Sequence, residues 1–507
     1  MKNIVYAAIL GSALLSTGCS ESVLDLKNPA EYNEDTYYKT QKECQEAVLS
    51  CYSVFTMAPF YSREWYYMFD LMSNQAAKTE KLSGLAQFGM FVFQQDNNEV
   101  RTLWEGLYRM NMRALVALEK VSAWETKSEE EKTAQSYFIG EAYFFHAWAY
   151  YNLTELFGDV PYHESWLSIT EEPAKPRMAY SEIQPKIEAA LKEAIKYLPE
   201  EWDEYNLGRI TKNAARTLLG KHYLTLGKNE EAVDILSQVS GVTLSSDYCS
   251  LFDRGNHTNQ EIILQVLHKN WGRGEGSPEY VFGGKESWGG KSTNTARHLE
   301  YGFNDWHNVY VPDASVAKFK YSINGKSDYI DPRGKMIFYG DGVLGDEDFA
   351  GGAFPYIPYN GTLASGFQWK KYCSYETEEH MIMDNGDISS VLLRLADVKL
   401  MLAEAYIALN QYDKALKEIN EVRERVGAEK YNNITSANAF EILKRERYIE
   451  LYGEQQYWFD LIRWDRLGKM DMMSELPEGT NPKYKKFPIP ITEIDENPQM
   501  IVENGWN

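Results

Sequence analysis

Between Val391 and Gly427 the chain reads VLLRLADVKLMLAEAYIALNQYDKALKEINEVRERVG, and its apolar residues recur at helical spacing. Leu395, Val398, Leu402, Ala405 and Leu409 make one stripe; Ala415, Leu416, Ile419 and Val422 make a second. Asn410 and Gln411 stand between them, where a tight turn joins antiparallel helices. Small Ala405 and Ala415 let the two helices approach closely. The pattern also occurs 183 positions earlier, in LLGKHYLTLGKNEEAVDILSQV. There Tyr223 matches Tyr406, Leu226 matches Leu409, Gly227 matches Asn410, Ala232 matches Ala415 and Leu236 matches Ile419.

An aromatic, a turn residue and a small Ala at these offsets resemble a tetratricopeptide helical hairpin. Two copies so far apart predict a helical scaffold interrupted by a long insertion. Helical spacing further predicts helices over 42–56, 100–121, 132–157, 180–197, 211–226, 437–452 and 455–467. The run IILQVL (262–267) predicts a strand, and residues 268–386 then hold 18 of the chain's 35 Gly, a density that favours turns and loops. The expected fold is mainly α: a tetratricopeptide-like repeat scaffold over 41–240 and 391–470, with a loop-rich insertion carrying short strands over 241–390. A tail over 471–507, with three prolines in FPIPITEIDENPQM, is expected to wrap back over the surface. Residues 41–507 read as one domain.

The start of the chain is different. Lys2 precedes a 12-residue apolar run over 4–15, too short to span a membrane and suited to a cleaved leader. Ser16-Thr17-Gly18-Cys19 resembles a bacterial lipobox, with Ser16 where Leu is usual. Residues 1–18 are therefore expected to be a lipoprotein signal peptide, Cys19 the lipidated N-terminus and 19–40 a tether: anchored by lipid, not embedded. The net charge of −22 argues against nucleic acid and against electrostatic docking on an anionic membrane, and weakly disfavours polyanionic ligands. Cys44 and Cys51, seven residues apart on one predicted helix, are separated by roughly 10 Å at 1.5 Å per residue, too far for a disulfide.

Catalytic signatures are weak: no GxSxG or HExxH occurs, and no hydrolytic pair stands out among the 74 Asp and Glu. GGKST (289–293) lacks the first Gly of a phosphate loop, which falls on Lys285. GRGEG (272–276) opens no helix, so no dinucleotide cofactor is expected. Asp341, Asp346 and Asp348 in DGVLGDEDFAGG are the only candidates for a cation, and they lack calcium-loop spacing. Aromatic residues make up 14% of the chain, which turns attention to ring-stacking ligands. Tyr143, Phe144, Trp148 and Tyr151, like Trp458 and Trp464, fall on helices and read as core. Loops run over surfaces, so a Trp in the Gly-rich segment can lie flat to solvent. Trp288 and Trp306 are the candidate sugar platforms, with Trp271 and Tyr280 behind them and Asn294, Arg297 and Asn304 as hydrogen-bonders to hydroxyls. The competing reading is that each such Trp pins the insertion to the scaffold.

Seven segments in order resemble the SusD/RagB lipoproteins of Bacteroidetes: Cys19 with Asp25-Leu26, GEAYFFHAWAYYNLTELFGDVPY, GRITKNAARTLLGKHYL, RLADVKLMLAEAY, INEVRERVG, RERYIELYGEQQYWFDLIRW and FPIPITEIDENPQM. The resemblance implies four tetratricopeptide-like units under a ligand-binding region, capture of an oligosaccharide or polysaccharide, and docking as a lid on a SusC-like TonB-dependent β-barrel transporter in the outer membrane. It implies no catalysis. A peptide or another nutrient as cargo, and an exported helical glycoside hydrolase, are the alternatives. If Cys19 carries the anchor, Cys19→Ala moves the protein from the membrane to the soluble fraction; unchanged fractionation contradicts the anchor.

Overall fold

The computed structural model describes residues 37–78, 83–171, 174–253, 255–268, 295, 297–302, 308–339, 367–373, 388–500 and 506. Before the insertion run Gln41–Tyr52 (α1), Glu64–Met72 (α2), Asn98–Ser122 (α3), Glu129–Phe157 (α4), Tyr180–Tyr197 (α5), Lys212–Thr225 (α6) and Asn229–Leu236 (α7). After it come Leu395–Ala408 (α8), Tyr412–Arg425 (α9), Ala439–Glu450 (α10) and Tyr457–Arg466 (α11). Polar side chains set several starts. Thr40 forms a capping box with Glu43, and Asn97, Ser128 and Thr211 each accept from the amide three residues on.

The repeat is conserved to the hydrogen bond. Lys212 and Leu395, like Thr225 and Ala408, are 183 positions apart, so α6 and α8 begin and end in register. Gly227 and Asn410 both turn the chain with positive φ, +70° and +58°. The Lys228 amide donates to the Tyr223 carbonyl at 2.9 Å, and the Gln411 amide to the Tyr406 carbonyl at 2.8 Å. Within the first hairpin, a Cβ on Gly220 would run into the Leu236 side chain, so the close approach of α7 requires glycine there. α8 packs against both α6 and α7, so the two hairpins stack although the insertion separates them in sequence.

Two strands close the root of the insertion. Ile262–Val266 (β1) pairs antiparallel with Ser390–Arg394 (β2), Val266 opposite Ser390. Here the expectation of helix from residue 391 is corrected: the helix starts at Leu395. Every residue of β2 is buried, and a strand buried on both faces shows a continuous apolar run that periodicity alone reads as helix. A second hairpin, Lys320–Ile323 (β3) with Lys326–Ile330 (β4), turns at Asn324-Gly325, both at positive φ. Trp369 is fully buried against Tyr301 and Tyr452, so this tryptophan pins the insertion to the scaffold. Cys44 and Cys51 are buried free thiols, pushed up to about 12 by burial. In the C-terminal segment, the Phe487 amide donates to the Leu156 carbonyl at 2.7 Å and its ring stacks on Phe69.

What fastens insertion to scaffold is ionic. Arg333 binds Asp331 through Nε and Nη2 at 2.8 and 2.7 Å and also reaches Glu446 (2.9 Å) and Glu450 (3.1 Å). Arg394 on β2 contacts Glu261 (2.8 Å), Glu450 (2.7 Å) and Glu454 (2.7 Å). Arg423 and Arg425 of α9 bind Glu446 and Glu450, and Lys371 Nζ donates to Glu454 at 2.6 Å. A second cluster joins the helices themselves. Asp397 of α8 pairs with Lys221 of α6 (3.1 Å) and Arg447 of α10 (3.0 Å), and Arg463 of α11 pairs with Glu404 of α8 (2.7 Å).

Burial alone would raise the Glu450 carboxyl, but Arg425, Arg394 and Arg333 outweigh it and hold it at about 2. Burial likewise opposes the Asp397 carboxyl, which Lys221 and Arg447 hold at about 2. Their ordinary values are 4.5 and 3.8, so the unfolded chain takes up protons first. The stabilisation is fully present above pH 4.5 and is lost as pH falls towards 2. Glu450 alone should cost about 2 kcal/mol by pH 3. Chemical denaturation at constant ionic strength should show at least that fall between pH 5 and pH 3. A flat profile over this interval contradicts the paired state.

Candidate functional site

Most of the loop residues singled out from sequence lie outside the described residues: Trp271, Tyr280, Trp288, Asn294, Asn304 and Trp306. So do Cys19 and the acidic trio Asp341, Asp346 and Asp348. Arg297 is described, and its placement corrects the expectation. It starts the short helix Arg297–Tyr301 and is only 3% exposed. Its guanidinium lies 3.9 Å from the centre of the Tyr372 ring, 3.5 Å from Asp70 Oδ2 and against the Gly453 carbonyl. Asp70 is fully buried, and a buried carboxylate needs a cation and donors. Burial pushes Asp70 up while Arg297 pulls it back, and it also accepts from Tyr301 at 2.7 Å and Gln455 at 3.0 Å. Arg297 is therefore a clamp at the base of the insertion, not a contact for hydroxyls.

A cleft of about 530 Å³ opens on the scaffold between α3, α4, α5 and the segment that follows α4. Gly158 ends α4 at φ +79°, and the chain turns back through Pro161 to place Tyr162 and Trp166 across from Tyr143. Beneath them, His146 Nδ1 lies 2.6 Å from Asn111 Oδ1, while Asn111 Nδ2 donates to Tyr150. Nδ1 therefore carries the proton, and Nε2 accepts from the Tyr162 hydroxyl at 3.0 Å. Burial, with a smaller push from Lys186, lowers His146 to about 4, so the imidazole stays neutral and fixes Tyr162. Lys186 Nζ sits 4.9 Å from the centre of the Tyr162 ring.

Three carboxylates on the rim each have a lysine beside them: Glu119 with Lys120 (3.0 Å), Glu164 with Lys186 (3.3 Å) and Glu193 with Lys196 (3.1 Å). Tyr162 is buried, while Tyr143 and Trp166 are partly exposed, and locally neutral charge around such faces suits a neutral, hydroxyl-rich ring. Its C–H face covers an aromatic ring while its hydroxyls reach carboxylate and serine oxygens. Tyr143 read as core from its helix; it is half-buried and stacks on Tyr197 at 6.5 Å, presenting one side to the cleft. The available signal was the GDVPYHESW turn, which projects two aromatics from a helix end. Among the described residues, no three His, Cys, Asp or Glu side chains gather as a metal site.

Stacked helical hairpins with the ends of a long insertion bolted across them define the class: a helical-repeat protein. The family follows from the comparisons. Residues 350–506 match the model described as the SusD family, and residues 23–224 match one described as starch-binding, associating with outer membrane. The chain belongs to the SusD/RagB family. SusD-like protein P25 of Formosa agariphila is 26% identical over all of this chain and 99% of its own length. The starch-binding protein SusD of Bacteroides thetaiotaomicron is 26% identical over 72% of each. A laminarin-binding SusD-like protein of known structure superposes with a TM-score of 0.73 at 23% identity, over 92% of this chain and all of that one, which shows a common fold.

Proposed function

We propose that this chain is a non-catalytic glycan-binding lipoprotein of the cell surface. It captures oligosaccharide or polysaccharide and passes it to a SusC-like TonB-dependent β-barrel transporter. The match that carries the reading is the starch-binding, outer-membrane-associating family model over residues 23–224, the stretch that also builds the Tyr143–Tyr162–Trp166 cleft. The names of the Bacteroides thetaiotaomicron and laminarin-binding relatives support a glucan-like ligand. Attachment is by lipid at Cys19, and no described helix is long and apolar enough to cross a membrane. Binding needs no cofactor.

Glycan is held on aromatic faces, by Trp288 and Trp306 first, with Trp271, Tyr280, Asn294 and Asn304 around them. The scaffold cleft offers a further place for one ring. Shallow aromatic sites gain little per ring because hydroxyl desolvation offsets stacking, so affinity per site should be on the order of 0.1–1 mM. The test uses protein lacking residues 1–19 in affinity electrophoresis against starch, laminarin and other polysaccharides. Trp288→Ala and Trp306→Ala should each weaken binding about fivefold or more without lowering the melting temperature. Retained binding with a large melting drop would make these tryptophans core residues, and reducing ends appearing over hours would make the protein a hydrolase.

A further inference from the structure

Another cavity, of about 300 Å³, lies between β3, α10 and the segment around Glu475. Its polar lining is unusual for a chain of net charge −22. Four cations, Lys318, Lys320, Lys444 and Arg445, face two carboxylates, Glu441 and Glu475. The carboxylates do not go round. Glu475 takes both Lys318 (3.0 Å) and Lys444 (3.1 Å), and Glu441 adds a longer contact to Lys444 at 3.4 Å. Lys320 is drawn to Asp328, a largely exposed residue outside the cavity, at 3.1 Å. Among the described residues no carboxylate lies within ion-pair distance of Arg445. Its guanidinium sits 4.6 Å from the centre of the Tyr321 ring, with a 3.4 Å hydrogen bond to the Tyr431 hydroxyl.

Two of these cations are already held in place. Tyr321 lies under Arg445, and Lys318 Nζ is 4.4 Å from the centre of the Tyr448 ring. Tyr321 is in turn fixed by donating to Asp331 at 2.7 Å, inside the buried ionic layer. Cations stacked on anchored rings lose little freedom when a ligand arrives, and guanidinium matches carboxylate and sulfate geometry. The chain's overall negative charge does not cancel this, because exposed charges beyond about 8 Å are screened at physiological salt.

We propose that this cavity is a subsite for the acidic group of a glycan, the carboxylate of a uronate or a sulfate ester, with Arg445 as its principal contact. That the anion is carried by a glycan rests on the function proposed above; that the cavity takes an anion does not. The test is calorimetric titration of protein lacking residues 1–19 with an oligogalacturonate, a sulfated oligosaccharide and a neutral laminari-oligosaccharide, at 50 and 500 mM NaCl.

At least one acidic oligosaccharide should bind, and its affinity should fall about tenfold or more both at high salt and in Arg445→Gln. The neutral ligand should respond to neither change, and which acidic arm binds distinguishes carboxylate from sulfate. Lys320→Gln, at a half-exposed rim position, is the second variant should Arg445→Gln not fold, and it should weaken the acidic ligand about threefold. Acidic binding unchanged in the folded variant overturns the proposal. Neutral binding without acidic binding overturns it while leaving the glycan reading intact; binding of none of the three also overturns it, and the glycan reading then stands or falls on the polysaccharide panel.

Discussion

Taking five cations and five carboxylates out of water together is the constraint on which this molecule is built. Arg333, Arg394, Arg423, Arg425 and Lys371 meet Asp331, Glu261, Glu446, Glu450 and Glu454 in a layer that is almost wholly buried. Such a layer adds little net stability, because desolvation offsets most of the attraction. Removing one member is costly, typically about 3–5 kcal/mol, since its partner stays buried and uncompensated. It therefore selects one arrangement over others. Three of the carboxylates come from α10 and the turn after it, whereas Arg333, Lys371 and Glu261 come from the insertion.

This has consequences for what the protein can do. The ends of the insertion are fixed by paired strands and ion pairs, so its root is ordered before any ligand arrives. The layer and the second ionic cluster between them take up carboxylates that might otherwise be read as hydrolytic. Glu450 and Asp397 are held near 2, far below the range in which a carboxyl serves as a general acid at neutral pH. Glu64 is pushed the other way, up to about 7, by burial and then by Glu99, but it lines none of the described cavities.

The fold was legible because its repeat is periodic and local. The Tyr, turn and Ala positions of the two hairpins, 183 residues apart, reappear as matching helix ends and matching turn hydrogen bonds. The ionic layer was not, although most of its carboxylates sit in the RERYIELYGEQQYWFDLIRW segment that marks the family. Arg394 lies 133 positions from Glu261 and 60 from Glu454, and no local pattern announces such pairs. Arg297 was misplaced for the same reason: its partner Asp70 is far away in sequence, and glycine-rich surroundings suggested surface. β2 read as helix because both of its faces are buried. Asn324-Gly325 is a turn signal legible in the sequence, and it closes the β3–β4 hairpin.

The most direct test is native-state hydrogen exchange across the junction. If the ionic layer makes scaffold and insertion root one cooperative unit, amides of Ile262–Val266 and Ser390–Arg394 should open with Leu395–Ala408 and Ala439–Glu450, their opening free energies agreeing within about 1 kcal/mol. Strands that exchange several kcal/mol more easily than these helices would show that the root opens by itself, and that the layer does not hold the insertion to the repeat.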